Sequence, residues 1–244
     1  MSETLLQVSG VSKHFLGLRA VDDVSLAVNK GEILSIIGPN GAGKTTFFNL
    51  LTGQLAPTAG EVRLRGQAIN RLAPHERARL GMGRTFQIAK PLIGLSALEN
   101  VMIGAFLHHR ALATARDKAM AVLQRVGLAR HARRRAGELT LSERRRLEVA
   151  RALALEPEIV LLDEVMAGLN QSEVGQAIEL LQGLHAQGLT FLIIEHNLKV
   201  VRAFSERVVV LDRGQLIAEG SADEILSSPA VIKAYLGEPA PVPA

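Results

Sequence analysis

The eight residues GPNGAGKT, from Gly38 to Thr45, constrain this chain more than any other stretch of it. They match G-x-x-x-x-G-K-[ST] at every specified position: Gly38, Gly43, Lys44 and Thr45. The residues before them, GEILSIIG, read as a short apolar strand. Those after them, TTFFNLLTG, carry apolar Phe47, Phe48, Leu50 and Leu51 at helical spacing and close on Gly53. Strand, glycine turn and helix in that order are the context the motif requires, which argues against a chance glycine-rich turn. Glycines let backbone N–H groups approach and wrap a phosphate, and the helix N-terminus behind them favours negative charge. The binding segment expected here runs through Gly38, Pro39, Asn40, Gly41, Ala42, Gly43, Lys44, Thr45 and Thr46. Lys44 reaches the β- and γ-phosphates as a mobile cation, and the Thr45 hydroxyl ligates Mg²⁺. ATP and Mg²⁺ are therefore the expected ligands.

The loop alone does not separate kinases, GTPases, helicases and transport ATPases. A second element narrows the choice. Ile159 to Leu162 form an apolar strand that ends in two adjacent acids, Asp163 and Glu164. Two carboxylates at the mouth of a buried strand are costly unless they face a cation. Asp163 is placed to hold Mg²⁺ through its hydration shell, and Glu164 to polarise the attacking water. Two isolated polar residues join them. Gln87 sits in GRTFQ, where β structure gives way to helix, and His196 sits in IIEHN, just after a buried strand. A lone histidine is more often structural, but both residues fall where parallel strands should end, which suits a γ-phosphate, metal or water sensor.

Around these motifs the chain reads as one large domain, since its 244 residues are too few for two ordinary ones. LLQVSGV, DVSLAV and GEVRLRGQAI give short strands before and after the first helix. From 88 to 155 the pattern is all-helical, opening at a Ser96/Glu99 capping box, running through RDKAMAVLQRVGL and restarting at Thr140/Glu143. Apolar strands then return as IVLLD and FLIIE, as expected of a parallel sheet buried on both faces. Between them lies a helix with Val174, Ile178, Leu181 and Leu184 inward. RVVVLDRGQLIAEG reads as a hairpin, SADEIL and AVIKAYLG as closing helices, and 238–244 as a disordered Pro/Ala-rich tail.

Composition removes several classes of function. There is no cysteine, so disulfides, thiolate zinc sites and cysteine nucleophiles are excluded. No apolar run approaches the roughly 20 residues that span a bilayer, and the start carries no secretory signal, so a cytosolic chain is the default expectation. Aromatic residues make up only 3%, which leaves no stacking platform for nucleic acid. The basic excess gathers between 110 and 151, with twelve Lys or Arg against four Asp or Glu. A solvated helical face explains that excess most simply, and two or more of Arg144, Arg145 and Arg146 are expected to belong to it.

The order of Phe15, GPNGAGKT, Gln87, a helical insertion, LEVARALA, LLDE and His196 resembles the nucleotide-binding subunit of ATP-binding cassette (ABC) transporters, over nearly the whole chain. RTFQ, LENV, LLDEVMAGLN and IIEHNLKVV look like the ATPase subunits of branched-chain (hydrophobic) amino-acid importers; the ATPase of lipopolysaccharide export is a similar free-standing subunit. The resemblance implies an α/β P-loop NTPase fold of the ABC nucleotide-binding type. It would have a catalytic core with an antiparallel β subdomain (1–87 and 156–237) and an all-helical subdomain (88–155). It further implies that Phe15 stacks on adenine, Gln87 couples the site to the membrane partner, Glu164 is the catalytic carboxylate and His196 contacts the γ-phosphate. The implied partners are integral-membrane permease subunits, a second ATP-binding subunit and, indirectly, a solute-binding protein. The implied location is peripheral, at the cytoplasmic face of the inner membrane.

One departure from the family pattern stands out. Where the family usually has Leu-Ser-Gly-Gly-Gln, anchoring on Ala150-Arg151-Ala152-Leu153 places Leu139-Thr140-Leu141-Ser142-Glu143. Both signature glycines are replaced, by Leu141 and Ser142. The Thr140-x-x-Glu143 capping box survives, so the helix N-terminus should still offer N–H groups to a nucleotide at Thr140 and Ser142. In this family one subunit's signature completes the other's loop site. A degraded signature therefore favours a heterodimer with an intact partner over a homodimer. A soluble ABC ATPase acting on DNA or ribosomes is the alternative of a different class. Against it, the chain lacks an inserted coiled coil, a second cassette and aromatics within the basic segment.

Overall fold

The computed structural model describes residues 3–85, 91–228 and 231. Gln87, most of the expected AVIKAYLG helix and the tail from 238 to 244 lie outside the described residues. The chain packs as two compact units, Met1–Leu72 with Leu192–Ala244, and Ala73–Phe191. The sequence division at 88 and 155 follows the change from β to helical patterning, whereas these units follow packing.

The first unit opens with two long strands, β1 (Thr4–Phe15) and β2 (Leu18–Asn29). Both run past the apolar cores of LLQVSGV and DVSLAV. Leu16 and Gly17, at φ 41° and 94°, make a two-residue turn that pairs Phe15 with Leu18 and carries the ladder through polar residues. Next come β3 (Ile33–Ile37), α1 (Lys44–Leu51), β4 (Ala59–Leu64) and β5 (Gln67–Ala68). An antiparallel sheet forms in the order β2-β1-β4-β5. All five residues of β3 are buried, as a strand covered on both faces must be.

The second unit begins with α2 (Pro74–Arg79), a short helix with proline in its first turn that hydrophobic spacing did not announce. Then follow β6 (Met82–Arg84), α3 (Ala97–Ala105), α4 (Leu112–Arg125) and α5 (Leu141–Leu153). Ser96 and Thr140 cap α3 and α5 through the expected Ser-x-x-Glu and Thr-x-x-Glu boxes. Between β6 and α3, the buried Asn100 side chain holds the turn before α3: its amide donates to Leu92 O and Ser96 O, and its Oδ1 accepts from Leu92 N–H. The strand β7 (Ile159–Asp163) is buried throughout and pairs in parallel with β6, with Arg84 opposite Leu161.

Helix α6 (Gln171–His185) buries Leu181 and Leu184, but Val174 and Ile178 are only half-buried. The inward face expected along the whole helix is therefore confined to its last turns. The boundary between the units falls inside β8 (Thr190–Ile194). Back in the first unit, α7 (Leu198–Phe204) leads to β9 (Arg207–Asp212), β10 (Gln215–Gly220) and α8 (Ala222–Ser227). The β9–β10 turn is Arg213-Gly214, at φ 46° and 83°, as Asp-Arg-Gly foretold. Strand β9 pairs in parallel with β3 and antiparallel with β10. Arg207 fastens this region, donating to Glu32 Oε1 at 2.7 Å and to Glu219 Oε1 at 2.6 Å. Among the described residues no helix is long and apolar enough to cross a membrane.

Candidate nucleotide site

In the first unit the chain leaves β3 at Gly38 and enters α1 at Lys44. Gly38 has φ 151° and Gly43 has φ 99°, and neither position has room for a side chain. A Cβ on Gly38 would lie 2.0 Å from Leu211 O, and one on Gly43 would lie 2.3 Å from Ala20 O. Glycine is thus dictated at both ends of the loop by the backbone of β9 and by β2. Between them Asn40 and Gly41 are exposed, Pro39 and Gly43 are half-buried and Ala42 is buried. The Lys44 ammonium donates to Gly38 O at 2.7 Å and to Pro39 O at 2.9 Å. Lys44 is buried, while Thr45 beside it is exposed and Thr46 half-buried. Successive N–H groups of such a turn, backed by a helix N-terminus, form an anion-binding concavity.

Two other expected residues lie in this unit. Phe15 ends β1 and is 40% exposed, enough to leave a ring face available, with the Lys13 ammonium 5.2 Å from its centroid. His196 is exposed directly after β8, while Glu195 before it is buried.

The second unit holds the acids. Asp163 ends β7 fully buried; its N–H donates to Thr85 Oγ1 at 3.1 Å. Its Oδ2 accepts from Arg84 Nη2 at 3.3 Å, and the two side chains are 2% and 8% exposed. Burial pulls the Arg84 guanidinium below its ordinary range, and the neighbouring Asp163 carboxylate holds part of that shift back. Sequence reasoning assigned no role to Arg84; its place in GRTFQ, on a strand paired with the acid-bearing one, was the only signal. Glu164 follows at φ 50°, an uncommon conformation for a residue with a side chain, and is half-buried.

At the start of α5, Thr140 Oγ1 accepts from Glu143 N–H at 3.3 Å and Glu143 Oε2 accepts from Thr140 N–H at 2.9 Å. Leu141 is 45% exposed and its Cδ2 approaches Gly168, where a Cβ would sit 3.1 Å from it. Ser142 is half-buried. Burial acts to raise the Glu143 pKa, but the Thr140 N–H, the charges of His131 and Arg134 and the Thr140 hydroxyl outweigh it, leaving the pKa below the usual glutamate range. Of the three arginines that follow, Arg145 is buried, while Arg144 and Arg146 are half-buried and make their hydrogen bonds at the surface. Arg144 Nη2 donates to Gly137 O at 2.8 Å, buried Arg145 faces Glu148 at 3.5 Å, and Arg146 Nη2 donates to Gln176 Oε1 at 2.6 Å. Helical spacing turns each toward an acceptor on neighbouring backbone or side chains, which a charge count along the sequence does not register.

A strand, a glycine loop and a helix, with a buried strand ending in Asp-Glu elsewhere in the chain, define a P-loop nucleotide-binding protein. The ABC transporter family profile matches residues 21–167, and that of the branched-chain amino acid ATP-binding cassette transporters matches residues 215–241. The high-affinity branched-chain amino acid transport ATP-binding protein LivG of Salmonella typhimurium is 42% identical over 98% of this chain and 100% of its own. Among solved structures, an ATP-binding cassette of an ABC transporter in its ADP conformation superposes with a TM-score of 0.88. It is 34% identical and covers 96% of this chain and 99% of its own. A dimeric cassette in a post-hydrolysis state, bound to ADP and Pi, gives 0.81 at 29% identity, over 89% of this chain and 99% of its own. The chain belongs to the ABC transporter family. Within that family it is an ATP-binding cassette, the nucleotide-binding ATPase subunit of a transporter.

Proposed function

We propose that this cassette powers an importer of branched-chain or other hydrophobic amino acids, working at the cytoplasmic face of the membrane against permease subunits. The observation that carries this reading is the 42% identity with LivG over nearly the whole of both chains. In the proposed cycle the loop N–H groups from Gly38 to Thr46 cradle the ATP phosphates, and the Lys44 ammonium turns from the Gly38 and Pro39 carbonyls toward the β- and γ-phosphates. Phe15 offers its exposed ring to adenine. Thr45 and Gln87 would offer oxygen donors to Mg²⁺, and Asp163 would hold it through its hydration shell. Among the described residues no cluster of three or more acids or histidines forms a metal cage. One or two protein oxygens are what Mg²⁺ takes when phosphates and water complete its shell. Bound there, it would neutralise charge developing on the phosphates.

Glu164 accepts a proton from the attacking water as the water oxygen bonds to the γ-phosphorus. The bond from that phosphorus to the β–γ bridging oxygen breaks, and ADP leaves with the electron pair. His196 contacts the γ-phosphate. The start of α5, at Thr140 and Ser142, faces a nucleotide held by a second ATP-binding subunit. With Leu141 and Ser142 in place of glycines, that approach is less close, which favours a partner carrying an intact signature. A solute-binding protein outside the membrane would set the cargo.

Reconstitution tests the reading. Liposomes carrying the assembled transporter should take up leucine with ATP inside, and Glu164→Gln in this chain should reduce uptake by a factor of at least 100 while ATP still binds. Uptake that survives Glu164→Gln, or no uptake of any hydrophobic amino acid by the active complex, overturns it. ATP hydrolysis by this chain alone at the transporter's rate overturns the unlike pairing.

A further inference from the structure

A carboxylate at position 143 is a chemical misfit, because it brings negative charge to a helix start proposed to meet a triphosphate. Its surroundings answer that misfit. Glu143 Oε2 is engaged by the Thr140 N–H at 2.9 Å and lies 3.8 Å from Arg134 Nη1. Glu143 Oε1 lies 3.0 Å from His131 Nε2. The same imidazole places its Nδ1 3.3 Å from Arg134 Nη1. Both side chains of the Glu143–His131 contact are largely buried, at 18% and 17% exposure, so solvent screens it little.

His131 Nε2 lies beside Glu143 Oε1 and its Nδ1 beside Arg134 Nη1, so the ring stands between the carboxylate and the guanidinium. Arg130 Nε also reaches the ring, 3.0 Å from Nε2. His131 ends a short 3-10 turn (Ala129–His131) and Arg134 follows it, both between α4 and α5, so neither shares a helix with Glu143.

We propose that His131 is a positioning residue for nucleotide binding. It occupies the Glu143 carboxylate while Arg134 supplies the opposing charge, so that the α5 N-terminus still presents its N–H groups to the facing subunit's phosphates. This rests on the proposed orientation of α5 toward a second nucleotide. It gives the unusual glutamate a specific compensation inside the same chain, and makes His131, Arg134 and Glu143 one unit.

The test is steady-state ATP hydrolysis by the assembled transporter in liposomes, with substitutions in this chain only. His131→Ala leaves the carboxylate facing the phosphates and should raise KM for ATP about tenfold. In a Glu143→Gln background there is no charge to neutralise, so adding His131→Ala should change KM less than twofold. His131→Gln, which keeps one donor and one acceptor, should recover most of the loss. An equal rise in both backgrounds would mark His131 as a folding element and overturn the proposal, as would an unchanged KM in His131→Ala. Ser142→Glu separates this from the reading beneath it. If a new carboxylate at that helix start also leaves KM unchanged, α5 does not face a nucleotide and both ideas fall. If Ser142→Glu raises KM and His131→Ala does not, only the role of His131 fails.

Discussion

Arg84 and Asp163 face each other from the paired strands β6 and β7, with Nη2 and Oδ2 3.3 Å apart and both side chains almost fully buried. Removing one partner of a buried pair leaves the other charge uncompensated. Arg84→Met should therefore destabilise the chain by about 3 kcal/mol, read as a lowered urea midpoint with unchanged slope. Adding Asp163→Asn to that variant should restore part of the loss. If the two substitutions simply add, the pair is not coupled.

The loop glycines should differ sharply among themselves. Gly38→Ala pushes a methyl to 2.0 Å from Leu211 O, so the loop cannot close as it stands; nucleotide binding should disappear and the melting temperature fall. Gly41→Ala meets nothing within 4 Å. It bears only the strain of φ 82°, about 1 kcal/mol, and should retain measurable ATP binding by calorimetry.

Lys44 carries the mobile charge of the loop. Lys44→Ala should weaken ATP binding at least tenfold, consistent with about 1.5–3 kcal/mol for a hydrogen bond to a charged group. The fold should survive, since the Gly38 and Pro39 carbonyls that the ammonium meets belong to the loop itself. A melting temperature that drops as far as in Gly38→Ala would contradict this division between binding and folding.

Acid should loosen the helix starts. Hydrogen bonds from Ser96 and Ser221 hold Glu99 and Glu224 below the ordinary glutamate value of 4.5, and Glu143 is also held below it. A lowered folded-state pKa means the unfolded chain binds protons first as pH falls. The stabilisation is present above about pH 4.5 and drains away as pH drops through the folded-state values. Urea midpoints at pH 7 and pH 3.5 should differ less in Glu99→Gln and Glu143→Gln than in the parent chain. An equal pH dependence in all three would exclude these boxes as a source of acid sensitivity.

Local signals in the sequence carried much of this protein. The phosphate loop, the capping boxes at Ser96 and Thr140, and the Asp-Arg-Gly hairpin were legible because each is a few residues whose geometry is decided by their own backbone preferences. The buried strands β3, β7 and β8 were legible because apolar runs without alternation have few other uses. The order of the motifs carried the family. What tertiary structure alone decided depends on partners distant in the chain. Arg84 acquires its meaning from Asp163, 79 positions away. The arginines after Glu143 find acceptors that a charge count cannot see, and the extensions of β1 and β2 through polar residues depend on cross-strand hydrogen bonds. Glu143, read alone as a blemish in a signature, is answered by His131 and Arg134 only when the chain folds α5 against the segment that follows α4. Charge near a phosphate is a matter of distance, and only the folded chain sets it.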